Sequence, residues 1–163
     1  MKKICCSLLI VACLFIMAGS VIAESLVVTE NHIPDLDTLV DSLALKPDEF
    51  RRKTGTIRVH FDLNSATIKP ESAKVLDIIG KAMQTERLLT FHFDLEGHTD
   101  ASGEKKYNLD LSEKRALAVK NYLVANCGVA EERFSWSGRG ESDPVDPDPY
   151  AEDNRRVELY TVR

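Results

Sequence analysis

Polar side chains of several types cluster around one glycine-bounded loop, GHTDASG, and the residues after it: Thr99, Asp100, Asn108, Ser112 and Arg115. The last three are four and three residues apart, a spacing that places side chains on one face of a helix. Glycines let a loop turn tightly, so the Asp100 carboxylate could approach the Arg115 guanidinium. This pattern fits either a structural salt bridge or a site for a zwitterion, with Asp100 binding an ammonium and Arg115 a carboxylate.

Motifs of catalysis are absent from the sequence. It contains no HExxH, GxSxG, GxxxxGK[ST] or paired CxxC motif. His60 and His92, with Asp62 and Asp94, could meet on an open sheet face and hold a metal, but polar residues at such positions usually face solvent. We therefore predict a protein that is not an enzyme and carries no cofactor and no metal.

Hydrophobic periodicity indicates the elements that must position these residues. Alternation of apolar and polar residues predicts four strands, at 56–63, 91–96, 133–137 and 155–162. Apolar stripes at helical spacing predict two helices, at 70–86 and 107–126. In the first strand, Ile57, Val59, Phe61 and Leu63 are expected to face inward.

The order of these elements is β-α-β-α-β-β, and crossovers between strands are nearly always right-handed. The outward strand residues are charged, so one face of the sheet should meet water. We therefore predict an α/β two-layer sandwich with a mixed sheet and both helices on one face.

The N-terminal part differs from the rest. Lys2 and Lys3 precede an uncharged stretch that ends at Ala23, so residues 1–23 are interpreted as a signal peptide. Two alternatives are a retained membrane anchor and lipidation at Cys13. Residues 24–55 are predicted to be a lead that contains a short amphipathic helix at about 35–44, and residues 56–163 the main domain.

The overall composition is that of a globular protein. Of 163 residues, 44% are hydrophobic and 29% are charged, with a net charge of −5. A nucleic-acid partner is not expected, because the chain has no basic excess. The acidic segment 141–153 is interpreted as a solvated loop, although Asp143, Asp146 and Asp148 could weakly bind Ca²⁺.

The motifs also resemble a known family. FDLNSA at 61–66, GHTDASG at 97–103, YNLxLSxxRA at 107–116, GxGExxP at 138–144 and NRRV at 154–157 occur here in family order and spacing. They are similar to the OmpA C-terminal-like peptidoglycan-binding domain, over about residues 56–162. This resemblance implies the same βαβαββ fold.

The resemblance also implies a ligand, the diaminopimelate of the peptidoglycan stem peptide. By matching motif positions, Asp100 would bind its ammonium and Arg115 its carboxylate. Thr99, Asn108 and Leu109 would line the pocket, and Asp62 and Arg156 are further candidates. On this basis we expect Arg115→Ala to abolish wall binding while the domain stays folded.

The implied function is non-catalytic anchoring to the cell wall by an exported protein of the periplasm or the outer-membrane surface. The alternative is that the same fold serves as a protein–protein interaction module in the cell envelope. The sequence leaves open the oligomeric state and the protein partners.

Overall fold

A computed structural model describes residues 28–29, 33–44 and 57–162. Within these ranges the chain forms helices and strands in the order α1 (Leu36–Leu43), β1 (Ile57–His60), α2 (Pro70–Met83), β2 (His92–His98), α3 (Lys105–Cys127), β3 (Phe134–Gly140) and β4 (Arg156–Val162). Single 3-10 turns, Glu131–Arg133 and Glu152–Asn154, precede β3 and β4. From β1 onward the predicted order βαβαββ is confirmed.

The four strands form one mixed sheet in the order β1-β4-β2-β3. β2 and β3 are parallel, whereas β4 lies between β1 and β2 and is antiparallel to both. A β-bulge shifts the pairing of β2 and β3 between Gly97 and His98. The extra residue is Arg139 of β3, opposite the point where β2 passes into the glycine-bounded loop, so β3 is the strand that bends there.

The core lies between one face of this sheet and the helices. Alternate strand residues such as Phe93, Leu95, Val157 and Leu159 are buried, as their spacing predicts. Helix α2 begins with Pro70 at its first position, where a missing N–H is tolerated. Helix α3 ends at Gly128, whose left-handed backbone (φ 69°) closes the last turn. The predicted two-layer α/β sandwich is confirmed.

The segment before β1 contributes to the same core. Asp35 caps α1 by accepting a hydrogen bond from the backbone N–H of Thr38. Leu39, Val40 and Leu43 are buried among the residues of the main core. Val28 forms an isolated parallel bridge with Ile57 at the edge of β1. Helix α1 falls inside the range predicted for a short amphipathic helix, and the proposed signal peptide at 1–23 lies outside the described residues.

Two expectations about the first strand are wrong. Leu63 is 56% exposed rather than inward, because β1 ends at His60 and the chain turns at Asn64, which has a left-handed backbone (φ 53°). His60 and His92 do not meet, because His60 pairs with Arg156 and His92 with Val162. Their partners in β4 are six residue steps apart, or roughly 20 Å along the strand.

No helix within the described ranges has the length and apolar character needed to cross a membrane. Cys127, at the end of α3, is a half-buried free thiol whose pKa burial raises. It packs beside Gly80 of α2, where an added Cβ would lie 2.4 Å from the Cys127 sulfur. Gly80 therefore leaves the space that Cys127 fills where α2 and α3 pack together.

Candidate functional site

Asp100 lies just beyond the end of β2, in the glycine-bounded loop. Its side chain is nearly buried, and both carboxylate oxygens are occupied. Oδ1 accepts a hydrogen bond from the backbone N–H of Ser102 at 3.0 Å. Oδ2 forms an ion pair with Nη1 of Arg155 at 2.9 Å. Asp100 is therefore held by its own loop on one side and by a cation on the other.

The cation that pairs with Asp100 is Arg155, the residue immediately before β4. Its Nε donates to the backbone carbonyl of Phe61 at 3.1 Å, and its Nη2 lies 3.7 Å from Glu152. The Arg155 side chain is 15% exposed, whereas that of Asp100 is 4% exposed. Arg155 is not among the site residues predicted from the sequence, although it lies within the NRRV motif.

Arg156, the neighbouring arginine that the family resemblance implies as a candidate, lies in a different cluster of side chains. Its Nε donates to Glu158 at 2.8 Å and its Nη2 to the Asp143 carbonyl at 3.1 Å. Among the described residues, neither Asp100 nor Arg115 is a hydrogen-bond partner of Arg156. Successive side chains of an extended chain point to opposite sides. Arg155 and Arg156 therefore point away from each other, and only Arg155 reaches Asp100.

Arg115 is fully buried on the inner face of α3. Its Nε, Nη1 and Nη2 donate to the backbone carbonyls of Ser65, His98 and Asp62 at 2.8–2.9 Å. The guanidinium also lies over the ring of Phe61, 5.3 Å from its centroid. Arg115 therefore ties the turn after β1 to the end of β2, a structural role that the sequence did not reveal.

Arg115 is a cation at neutral pH, because its pKa remains well above 7. Burial lowers its pKa to about 10, whereas the charge of Asp100 acts to raise it. Asp100 and Arg115 interact through this field and are not hydrogen-bonded to each other within the described part of the chain. A guanidinium has five N–H donors, and backbone carbonyls accept from three of those of Arg115. Within the described residues, one N–H on Nη1 and one on Nη2 have no acceptor among these bonds, and the side chain is fully buried.

Asn108 and Ser112 fasten α3 to the loops around Asp100. Asn108 donates to the Asp100 carbonyl at 3.3 Å and to Glu141 at 2.6 Å. The Ser112 hydroxyl donates to the Leu109 carbonyl at 2.7 Å and accepts from the Gly140 N–H at 2.9 Å. These contacts confirm that Asn108, Ser112 and Arg115 lie on one buried face of the helix.

The remaining predicted residues differ in their surroundings. Thr99 is buried; its N–H donates to the Gly140 carbonyl at 2.9 Å, while its Oγ1 has no hydrogen-bond partner within the described residues. Leu109 is 48% exposed on the outer side of α3. Asp62 gives only its carbonyl to Arg115, because its carboxylate is exposed and pairs with Lys69 at 2.8 Å.

Two glycines allow α3 to approach the sheet closely. A Cβ built on Gly97 would lie 1.9 Å from the Ser112 carbonyl oxygen, and one on Gly138 would lie 2.7 Å from that of Leu109. Neither distance is possible for real atoms, so a side chain at either position would push the helix away. These glycines thus set the distance between Arg115 on the helix and Asp100 beyond the strand.

The described ranges contain no group of three or more His, Cys, Asp or Glu side chains that could hold a metal ion. In the acidic loop, Asp146 accepts from the Asp148 N–H at 2.8 Å and Asp148 from the Tyr150 N–H at 3.0 Å. These carboxylates therefore shape the turns of the loop.

Comparison with known proteins gives the family of this fold and site. The model of the OmpA family matches residues 60–158, which contain the whole site described above. The chain belongs to the OmpA family. The resemblance inferred from the motifs is thereby confirmed.

Curated relatives of this OmpA-family chain include outer membrane protein A of Bordetella avium, which is 36% identical over 108 residues, covering 63% of this chain and 53% of the relative. The peptidoglycan-associated lipoprotein of Pseudomonas aeruginosa is 38% identical over 106 residues, covering 61% and 59%. The chain thus matches little more than half the length of these relatives.

Solved structures share the fold. The peptidoglycan-associated lipoprotein of Burkholderia pseudomallei is similar with a TM-score of 0.58 and 28% identity, covering 64% of this chain and 89% of that one. The C-terminal domain of Helicobacter pylori MotB gives a TM-score of 0.57 and 25% identity, with 65% and 84% covered. Two of these relatives are named for the outer membrane or for peptidoglycan: outer membrane protein A and the peptidoglycan-associated lipoprotein.

Proposed function

We propose that this protein binds peptidoglycan without catalysis, through the diaminopimelate residue of the stem peptide. The observation that carries the proposal is the ion pair between Asp100 and the partly exposed Arg155, in the electrostatic field of the buried cation of Arg115. One anion and two cations at the end of a sheet suit a ligand with one ammonium and one carboxylate. Membership of the OmpA family and relatives named for peptidoglycan support the same ligand.

The ligand would bind by exchanging partners with the existing ion pair. Its ammonium would take the place of Arg155 beside Asp100, and its carboxylate would bind Arg155 together with the spare N–H groups of Arg115. Asp100 would exchange Arg155 for the ligand ammonium, and Arg155 would exchange Asp100 for the ligand carboxylate. Neither side chain would therefore be left buried without a counter-ion. The free Oγ1 of Thr99 would supply one further hydrogen bond.

Both charges of the ligand are needed for this exchange. A stem peptide that carries lysine in place of diaminopimelate has the ammonium but lacks the side-chain carboxylate. It would draw Asp100 away from Arg155 and leave Arg155 without a counter-ion at that position. We therefore expect the site to select against lysine-type stems.

The affinity of one site would be modest. Charge-assisted hydrogen bonds contribute about 1.5–3 kcal/mol each, so two of them with a few neutral bonds give about 5–8 kcal/mol. That corresponds to a dissociation constant between roughly millimolar and micromolar. Because the wall is a polymer with many stems, such affinity is enough to retain a protein there.

The proposal places the protein in the periplasm or at the outer membrane, exported by the N-terminal signal predicted at 1–23. Retention of that segment as an anchor and lipidation at Cys13 are alternatives for the same location. In each case the binding site would face the wall. The protein would then act as a link between the envelope and peptidoglycan.

Asp100→Asn tests this function. The amide keeps the shape of the side chain and can still accept from Ser102, but it has no charge for the ligand ammonium. We expect the protein expressed from its full sequence to co-sediment with sacculi of the diaminopimelate type, and the variant to lose at least about tenfold in apparent affinity, consistent with one lost charge-assisted bond.

Asp110→Asn is the matched control, because Asp110 is exposed on the same helix and takes no part in the site. It should sediment like the unmodified protein. Sacculi of the lysine type supply the second control and should pellet little protein. If the unmodified protein is folded and stays in solution with both kinds of sacculi, the proposal fails and a protein partner becomes the better explanation.

A further inference from the structure

Glu141 is an acidic residue beside the charged site that the exchange of ion-pair partners leaves unused. It directly follows Gly140, the last residue of β3, and is half-buried. Its Oε2 accepts a hydrogen bond from Nδ2 of Asn108 at 2.6 Å. Within the described ranges, no lysine, arginine or histidine side chain forms an ion pair with Glu141. It is therefore a partly desolvated carboxylate without a counter-ion of its own.

Two contacts fix Glu141 next to the loop that carries Asp100. The carbonyl of Gly140, the residue before Glu141, accepts from the Thr99 N–H at 2.9 Å. The Asn108 nitrogen that donates to Glu141 also donates to the Asp100 carbonyl at 3.3 Å. Because both acceptors share this one nitrogen atom, only two hydrogen bonds separate the Glu141 carboxylate from the backbone of Asp100.

An ammonium group in this position needs more acceptors than Asp100 alone can give, because it has three N–H donors. The Oδ1 of Asp100 already accepts from the Ser102 N–H, which leaves Oδ2. The Oγ1 of Thr99, buried and without a hydrogen-bond partner in the described part of the chain, offers a second acceptor. The Oε1 of Glu141, which accepts no hydrogen bond from any described residue, offers the third.

Glu141 also balances the charges of the site. Arg115 and Arg155 bring two cations, whereas Asp100 brings one anion. With Glu141 included, the site holds two anions and two cations. Such a site matches a ligand that carries one ammonium and one carboxylate, because neither charge of the ligand is bound against an excess of its own sign.

Building on the proposed function, we propose that Glu141 is a specificity-determining residue of this site, whose carboxylate binds the ligand ammonium together with Asp100. The ammonium supplies the counter-ion that Glu141 lacks in the free protein. Two carboxylates and one hydroxyl then accept from its three N–H groups. The second carboxylate strengthens the preference for a free primary amine, because acylation of that amine removes its charge and two of its donors.

NMR titration with two soluble peptides tests this role. One is the stem tripeptide that ends in diaminopimelate, with its N-terminus blocked, and the other is the same peptide with the diaminopimelate side-chain amine acetylated. We expect the unmodified protein to bind the free-amine peptide at least about tenfold more tightly than the acetylated one. In Glu141→Gln this ratio should fall about three- to tenfold, because one of the two negative charges beside the ammonium is lost.

The ratio separates recognition of the ammonium from support of the fold. The glutamine oxygen in Glu141→Gln can still accept from Asn108, so the contact with the helix is kept. If Glu141 only supported Asn108, its replacement would weaken both peptides alike and leave the ratio unchanged. That result would overturn the role of Glu141 while leaving the charged site intact.

Glu132→Gln is the matched control, because Glu132 is exposed in the turn before β3, at the other end of that strand, and should keep the full ratio. Equal affinity of the unmodified protein for the two peptides would overturn the ammonium contact itself. If the unmodified protein binds neither peptide, the proposed function fails and the role of Glu141 fails with it.

Discussion

At the scale of single residues, the two arginines near Asp100 have different tasks. Arg155 is partly exposed and forms the ion pair with Asp100; under the proposed function its guanidinium would change partners when the ligand binds. Arg115 is buried and donates to three backbone carbonyls, so it supports the site from beneath. These contacts lead us to expect that removal of Arg115 also lowers the stability of the fold.

Arg115→Ala should destabilise the protein by about 3–5 kcal/mol, because three carbonyls would lose their donor and a cavity would form beside Phe61. Urea unfolding followed by circular dichroism measures the change. Arg155→Ala is the comparison and should cost clearly less, since its side chain is nearer to solvent. If Arg115→Ala unfolds at the same urea concentration as the unmodified protein, the supporting role is wrong.

At the scale of elements, helix α1 packs into the hydrophobic core of the domain although it lies outside the family motifs. The family match begins at residue 60, yet Leu39 and Leu43 of α1 are buried in the common core. An ion pair between Arg87 and Asp41 also links α1 to the turn after α2. The domain that folds as a unit is thus expected to begin well before residue 56.

Leu39→Ala should therefore lower the free energy of unfolding by about 2–4 kcal/mol, the usual cost of truncating a buried leucine. Leu36→Ala in the same helix changes a side chain that is 41% exposed and should cost less than about 0.5 kcal/mol. Thermal or urea unfolding of the two variants measures both values. Equal effects would mean that α1 does not contribute to the core in solution.

At the scale of the whole molecule, the sheet separates the apolar core on one face from a polar cluster on the other. Arg156, Glu158 and His98 are all buried in this cluster, and Glu158 also pairs with Arg58 and Tyr160. Burial raises the pKa of Glu158, but hydrogen bonds from Tyr160 and Arg156 outweigh it and lower the pKa. The stabilisation from Glu158 is therefore lost in acid.

His98 should make the fold sensitive to acid as well. Burial and the charge of Arg156 lower its pKa from 6.5 to about 4, although Glu158 and Asp143 act to raise it and Arg139 to lower it. Between these pH values the unfolded chain binds a proton that the folded chain does not. Stability is thus full above pH 6.5 and falls by up to about 3 kcal/mol as the pH approaches 4.

The measurement is urea unfolding at several pH values between 7 and 4 for the unmodified protein and for His98→Gln. We expect the variant to lose less stability over this range, whatever its stability at pH 7. His92→Gln, at an exposed position of the same strand, should follow the unmodified protein. Parallel pH curves for the unmodified protein and His98→Gln would show that His98 does not govern the acid response.

The sequence alone determined what short-range periodicity encodes: the order of the elements, the buried sides of β2 and α3, the stop at Gly128 and the motifs of the family. These follow from side-chain directions that repeat every two or 3.6 residues. Only the tertiary structure decided that β4 inserts between β1 and β2, which separates His60 from His92, and that Arg155 rather than Arg156 pairs with Asp100. The physical reason is that these outcomes depend on contacts between residues 50 or more positions apart, and no local pattern specifies which distant partner a side chain will find.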